Sequence, residues 1–210
     1  MSDTKEKILT TALHLFAREG YEAVSVSAIA GALGMTKGAL YKHYKNKRDI
    51  FDSIVARMYR LDAERSREYE VPEEKFEADP GAYENISITG IREYTLSQFV
   101  FWAEDSFASD FRRLLMLEQY RSPEMAELYR SCLAAGPVAY MEDIFREMMK
   151  KGVLREEDPG QLALEYYGPF CLLLSISDEE GERERALALL EGHIDRFFRR
   201  YADEKKETEI

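Results

Sequence analysis

Glycine stops and hydroxyl or amide caps alternate so closely between Ile8 and Leu61 that only short helices folded on one another satisfy them. Ile8, Leu9, Ala12, Leu13, Phe16 and Ala17 fall at helical steps, and Gly20 closes this first helix. Ser25 caps a short second helix that turns Val26, Ile29, Ala30 and Leu33 inward and stops at Gly34. Thr36 caps a third, from Lys37 to about Tyr44, with Leu40 and Tyr44 one turn apart on its buried side. Asn46 caps a longer fourth helix to about Arg67, with Ile50, Phe51, Ile54, Val55, Met58 and Leu61 along one side. The segment Leu33-Gly34-Met35-Thr36 has the length of the turn in a helix-turn-helix.

From Val71 to Asn85 two prolines and a Pro-Gly break the periodicity, which reads as a loop and not as a domain linker. The helical pattern returns from Ile86 through Phe111 to Tyr120, then over Pro123 to Lys151, Asp158 to Ser177 and Glu179 to about Lys205. No segment alternates as a strand does, so the fold class is all-α. Gly136-Pro137 and Gly168-Pro169 fall inside these helices and are expected to kink or interrupt them, since proline removes a backbone donor.

The last two helices point to assembly. Leu187, Leu190, Ile194, Phe197 and Tyr201 recur at steps of three and four, the spacing of a packed seam. The helix before them is apolar nearly all round and needs cover on more than one face. Leu162, Tyr166, Phe170, Leu173 and Leu174 with the seam residues form one candidate dimer interface, a four-helix bundle of two chains. Burial inside a monomer is the alternative for the same pattern.

Composition fits a globular chain, with 45% hydrophobic and 33% charged residues. No run reaches the roughly 18 apolar residues of a membrane span, so a cytoplasmic protein without a membrane partner is expected. Cys132 and Cys171 stand apart, outside any Cys-x-x-Cys, and read as two small buried hydrophobes; no metal site and no cofactor is expected. The net charge of −11 is uneven. The first fifty residues carry +3, which leaves −14 for the rest, and Met35 to Arg48 holds five bases and no acid. Such a segment suits a polyanion on an otherwise acidic body. Gly-x-Ser-x-Gly, His-Glu-x-x-His and a phosphate-binding glycine loop are all missing, and His14, His43 and His193 sit in unrelated contexts. No catalytic residue is nominated, and the chain is not expected to be an enzyme.

Gly20-Tyr21, Ile29-Ala30, Gly34-Met35-Thr36-Lys37-Gly38, Leu40-Tyr41-Lys42-His43-Tyr44 and Lys47 together resemble the DNA-binding motif of the tetracycline-repressor (TetR) family. These elements cover about a quarter of the chain. The resemblance implies an N-terminal three-helix helix-turn-helix domain over residues 1–47 and a C-terminal helical ligand-binding and dimerisation bundle over 48–210. It also implies DNA contacts at the positions of Ser25, Ser27, Lys37, Gly38, Tyr41, Lys42, His43 and Lys47, and chemistry adds Thr36 at a helix N-terminus. Lys37, Gly38 and Lys42 are read as base or near-base contacts; Ser27, Thr36, Tyr41, His43 and Lys47 position the phosphates. Ser25 is first a cap, and Tyr41 or His43 in isolation would read as packing or surface residues.

The partners implied are a double-stranded DNA operator, a second copy of the chain and a small-molecule effector that shifts the spacing of two recognition helices. A repressor released from a palindromic operator is the reading, with activation as the other outcome. Tyr94, Phe99, Phe101, Trp102, Phe107, Phe111, Tyr120, Tyr140, Tyr166 and Tyr167 are candidates for an effector pocket, with Glu93 or Glu104 as polar anchors. Ordinary core packing is the other reading of the same aromatics.

Overall fold

The computed structural model describes residues 3–73 and 76–203. Ten α-helices follow one another among them: α1 Asp3–Glu19, α2 Val26–Ala32, α3 Lys37–Leu40, α4 Lys47–Glu68, α5 Ile88–Glu104, α6 Ser106–Glu118, α7 Pro123–Leu133, α8 Ala135–Lys150, α9 Pro159–Ile176 and α10 Arg183–Tyr201. A 3-10 turn, Pro80–Tyr83, sits in the loop after α4, with the Asp79 side chain accepting from the Ala82 N–H. No strand forms among the described residues; a single antiparallel bridge joins Leu154 to Ala202. The fold is all-α.

The chain divides into two compact units, Met1–Asp62 with Glu104–Tyr129, and Ala63–Ala103 with Arg130–Ile210. In the first, α1 packs on α2 and on α6. Its core holds Ile8, Leu9, Leu13, Phe16, Ile29, Leu40, Ile50, Ile54 and Phe111, all buried. Burial of one such side chain contributes about 1.5–3 kcal/mol, so this small unit depends on nearly every one of them. At the polar margin of α1 and α6, His14 Nδ1 lies 3.0 Å from Asp110 Oδ2. The guanidinium of Arg57 covers the Phe107 ring at 4.1 Å and pairs with Glu6.

In the second unit α9 packs between α8 and α10. Phe145, Tyr166, Phe197 and Phe198 form one aromatic cluster. Tyr166, buried among them, donates its hydroxyl to Thr95 Oγ1 at 2.9 Å, and Thr95 donates to the Ile91 carbonyl at 2.8 Å. Burial holds the Tyr166 phenol well above the usual tyrosine range, so the ring is neutral and its one proton is committed.

Several elements differ from the sequence reading. The third helix ends at Leu40, not near Tyr44, because the Lys42 and His43 N–H groups reach back only three residues, to Ala39 and Leu40. The final helix starts at Arg183, since Gly181 at φ +86° closes a turn that a helix cannot pass through. Its expected end near Lys205 lies outside the described residues, and the helix stops at Tyr201. At Gly136-Pro137 the break falls just before the pair, at Ala134, which leaves Pro137 in the first turn of α8 where its missing N–H is harmless. A Cβ at Gly136 would collide with the Ser131 carbonyl, so the glycine lets the two helices meet. At Gly168-Pro169 no interruption occurs: α9 runs through Pro169, and the carbonyl left without a donor belongs to Glu165 on the exposed side.

Of the candidate interface residues, Leu162, Tyr166, Phe170, Leu173, Leu174, Leu190, Ile194, Phe197 and Tyr201 are buried within the chain itself, and Leu187 is half-buried. The seam packs α10 onto its own unit. The outward side of α9 carries Gln161, Leu164, Glu165, Gly168, Cys171, Leu172 and Ser175 instead, with Leu164 56% and Leu172 64% exposed. Cys171 therefore sits on a surface, not in the core as its residue type suggested. Leu189 of α10 is also exposed.

Candidate nucleic-acid interface

The turn between α2 and α3 is fixed by backbone chemistry. Gly34 takes φ +64°, its N–H donates to the Gly31 carbonyl at 3.0 Å, and the Met35 N–H donates to the Ala30 carbonyl at 3.0 Å. This pair of bonds is the Schellman closure of a helix, and the left-handed residue it requires is glycine. Thr36 then caps α3, its Oγ1 accepting the Ala39 N–H at 3.1 Å, and Ser25 caps α2 by accepting the Ala28 N–H at 3.0 Å. Both hydroxyls act as acceptors inside the protein and keep a proton to donate outward.

Leu40 and Tyr44 anchor α3 from below, both buried. The Tyr44 hydroxyl donates to the Lys5 carbonyl at 3.2 Å, and burial raises its pKa, with Asp49 adding to the rise. This anchoring leaves the opposite side of α3 in solvent. Ser25, Ser27, Thr36, Lys37, Gly38, Tyr41 and Lys42 are exposed, while His43 and Lys47 are half-buried. Lys37 Nζ lies 5.7 Å from the centre of the Tyr41 ring. Lys37, Lys42 and Lys45 make no ion pair with any described residue. A side chain at Gly38 would meet nothing within 4 Å, so the fold does not itself demand glycine there. The bare backbone at the head of α3 is a property of the surface it presents.

The next helix begins on a reciprocal cap. Asn46 Oδ1 accepts the Asp49 N–H and Asp49 Oδ2 accepts the Lys45 N–H, each at 2.8 Å. Lys47 then folds back on the α1–α2 turn. Its Nζ donates to the Tyr21 carbonyl at 2.9 Å, lies 3.6 Å from the Glu22 carboxylate, and stands 4.3 Å from the centre of the Tyr21 ring. The Tyr21 ring packs edge-on against Phe16 and Phe51, and this burial raises its phenol pKa. Arg48 is the base of the run held by two acids: it donates to Glu124 and to Asp52, and those bonds raise its pKa. Its charge, though exposed, is matched by carboxylates of α4 and α7. Tyr21 was read from the sequence only as a motif aromatic. Its part in holding Lys47 could not be read, because the carbonyl involved carries no residue-type signature.

The nominated aromatics scatter. Phe99, Trp102, Tyr166 and Tyr167 are buried in the second unit, Phe107 and Phe111 in the first, and Tyr120 is 91% exposed. Phe101 is half-buried with the Arg65 guanidinium 4.6 Å from its ring centre, and Glu93 and Glu104 are exposed. Tyr94 and Tyr140 are half-buried with ring centres 6.4 Å apart. Gln98 Nε2 donates to the Tyr94 hydroxyl at 2.7 Å, and Arg65 Nε donates to Gln98 Oε1 at 3.2 Å. The first unit also opens a groove of about 530 Å³ lined by residues of α4 and α7, among them Asp52, Tyr59, Glu124 and Leu128, which the sequence did not single out. No helix among the described residues is long and apolar enough to cross a membrane, and none of their His, Cys, Asp and Glu side chains group so as to hold a metal ion.

Comparison with known proteins follows this geometry. The family described as "Bacterial regulatory proteins, tetR family" matches residues 8–54. The chain is 33% identical over 146 residues to the HTH-type transcriptional regulator AcrR of Shigella flexneri, which covers 70% of this chain and 57% of that protein. The match thus spans little more than half of that relative's length. Among solved structures, SmeT, the repressor of the Stenotrophomonas maltophilia multidrug efflux pump SmeDEF, superposes with TM-score 0.64 at 22% identity over 97% of this chain and 93% of its own. A transcriptional regulator from Saccharomonospora viridis, solved in complex with choline, gives TM-score 0.65 at 20% identity over 96% and 99%. At these identities the two structures speak for the shared fold.

The caps carry a stability prediction. Ser25→Ala and Thr36→Ala should each lower the unfolding free energy by about 1 kcal/mol, read as an earlier midpoint in urea. Unchanged midpoints would show that the two hydroxyls do not hold their helices.

Proposed function

On the match of residues 8–54 to the tetR family of bacterial regulatory proteins and the likeness to AcrR, we propose that this chain is a member of that family and a sequence-specific DNA-binding transcriptional regulator of the cytoplasm, a repressor released from a palindromic operator by a small molecule. The observation that carries this reading is the solvent-facing side of α3. There Lys37 and Gly38 at the head of the capped helix and Tyr41 and Lys42 just past its end are exposed together. An α-helix head with bare backbone and unpaired ammonium groups fits the major groove, where lysine recognises guanine edges and phosphate. Residues 1–47 hold these contacts, and 48–210 serve effector binding and dimerisation.

The pairing surface is the outward side of α9, supported by the exposed Leu164 and Leu172 flanking Gly168, where a missing side chain leaves room for another helix. Together with Leu189 it gives two copies an apolar face to bury. The effector contacts Tyr94 and Tyr140, whose partly open rings and hydrogen-bonded Gln98 offer both stacking and a polar anchor. That the Saccharomonospora viridis regulator was solved with choline supports an effector for this chain as well.

Two experiments test this function. Footprinting on the DNA beside its own coding region should protect an inverted repeat; Tyr41→Phe should then weaken binding several-fold on any sequence, whereas Lys37→Ala should also relax base preference. Equal, sequence-blind losses would contradict the division between base and phosphate contacts. For assembly, Leu172→Arg should convert a dimer into a folded monomer in sedimentation and weaken operator binding at least tenfold. A Leu172→Arg protein that remains a dimer would move the interface elsewhere.

A further inference from the structure

Lys47 does not stand alone at the edge of the reading surface. The residue it grips, Tyr21, is held on both its peptide groups: its carbonyl accepts from Lys47 Nζ at 2.9 Å, and its N–H donates to Glu118 Oε1 at 3.1 Å. Glu118 is the last residue of α6, 97 residues away in sequence, and only 3% exposed. A carboxylate so buried is stable only with donors around it. It has two, the Tyr21 N–H and Arg121 Nη1 at 3.2 Å.

The chain also clears a path for it. Gly20 adopts φ +88°, and a Cβ there would lie 2.7 Å from Glu118 Oε1, so a larger residue would push the carboxylate from the turn. Three features thus meet at one point: a left-handed glycine, a buried acid from another helix, and a carbonyl that orients the half-buried Lys47. An ammonium has three donors, and the Tyr21 and Glu22 carbonyls, at 2.9 and 3.5 Å, face two of them. The Glu22 carboxylate, 86% exposed, stands 3.6 Å from the same ammonium, where a phosphate can take its place; the position of the ammonium is set by the turn, which Gly20 and Glu118 hold together.

We infer that Glu118 is a positioning residue for DNA binding, acting through the Tyr21 backbone to aim Lys47 at the phosphate backbone. This rests on the proposed reading of Lys47 as a phosphate contact. What Glu118 supplies is an oxygen at the right reach, not a charge at the DNA. The conservative pair Glu118→Gln and Glu118→Asp separates the two: glutamine keeps the reach without the charge, and aspartate keeps the charge without the reach.

The test is operator affinity for both variants in the wild-type and Lys47→Ala backgrounds, with the Tyr21 amide followed by hydrogen exchange. Glu118→Gln should bind within about twofold of wild type, and Glu118→Asp about tenfold more weakly, with a faster-exchanging Tyr21 amide. In the Lys47→Ala background Glu118→Asp should cost less than about twofold more, because the residue acts through the lysine. The opposite order of Gln and Asp, or an undiminished effect of Asp without Lys47, overturns the positioning role and leaves the lysine contact standing. A Lys47→Ala protein that binds as tightly as wild type overturns the contact and the positioning role together.

Discussion

The left-handed backbone at Gly34 governs what the first unit can present. A right-handed residue there would carry α2 onward or splay it from α3, and the two bonds that close the turn, from Gly34 to Gly31 and from Met35 to Ala30, would be lost. With the turn fixed, Leu40 and Tyr44 drop into the core formed by α1 and α4, and the opposite side of α3 has to face water. Lys37, Tyr41 and Lys42 are exposed for that reason. The exposed basic surface is therefore a by-product of how its underside is buried.

Electrostatics completes the same arrangement. The chain carries −11 overall, yet the acids nearest the basic run are engaged at its far end: Asp52 and Glu124 hold Arg48, Glu22 lies beside Lys47, and Asp49 caps the start of α4. Lys37, Lys42 and Lys45 make no ion pair with any described residue. An acidic protein can bind a polyanion when its local field has the opposite sign, and screening over about 10 Å at 0.1 M salt keeps the distant acids from cancelling it.

What could be read from the sequence was local. Ser25, Thr36 and Asn46 cap the helices they were expected to cap, and Gly20 and Gly34 end theirs, because caps and stops are decided within four residues. The end of α3 was misjudged since apolar spacing at Tyr44 reports burial and not helix, and a tightened turn buries the residue equally well. In α9 the pattern could not tell which apolar face is covered by its own chain; Phe170 and Leu174 proved interior, while Leu164 and Leu172 face out. Glu118 was invisible because its partner is a backbone N–H brought near by tertiary folding, and a lone glutamate at a helix end reads as solvated.

The central claim, that a capped basic helix on an acidic chain reads duplex DNA, is tested most directly by the salt dependence of operator affinity. Each phosphate neutralised contributes a slope of roughly −0.9 in log K against log salt, so two copies that each set Lys37, Lys42 and Lys47 near phosphates should give about −5. A slope near zero on a folded dimer, or no measurable affinity at low salt, would contradict it.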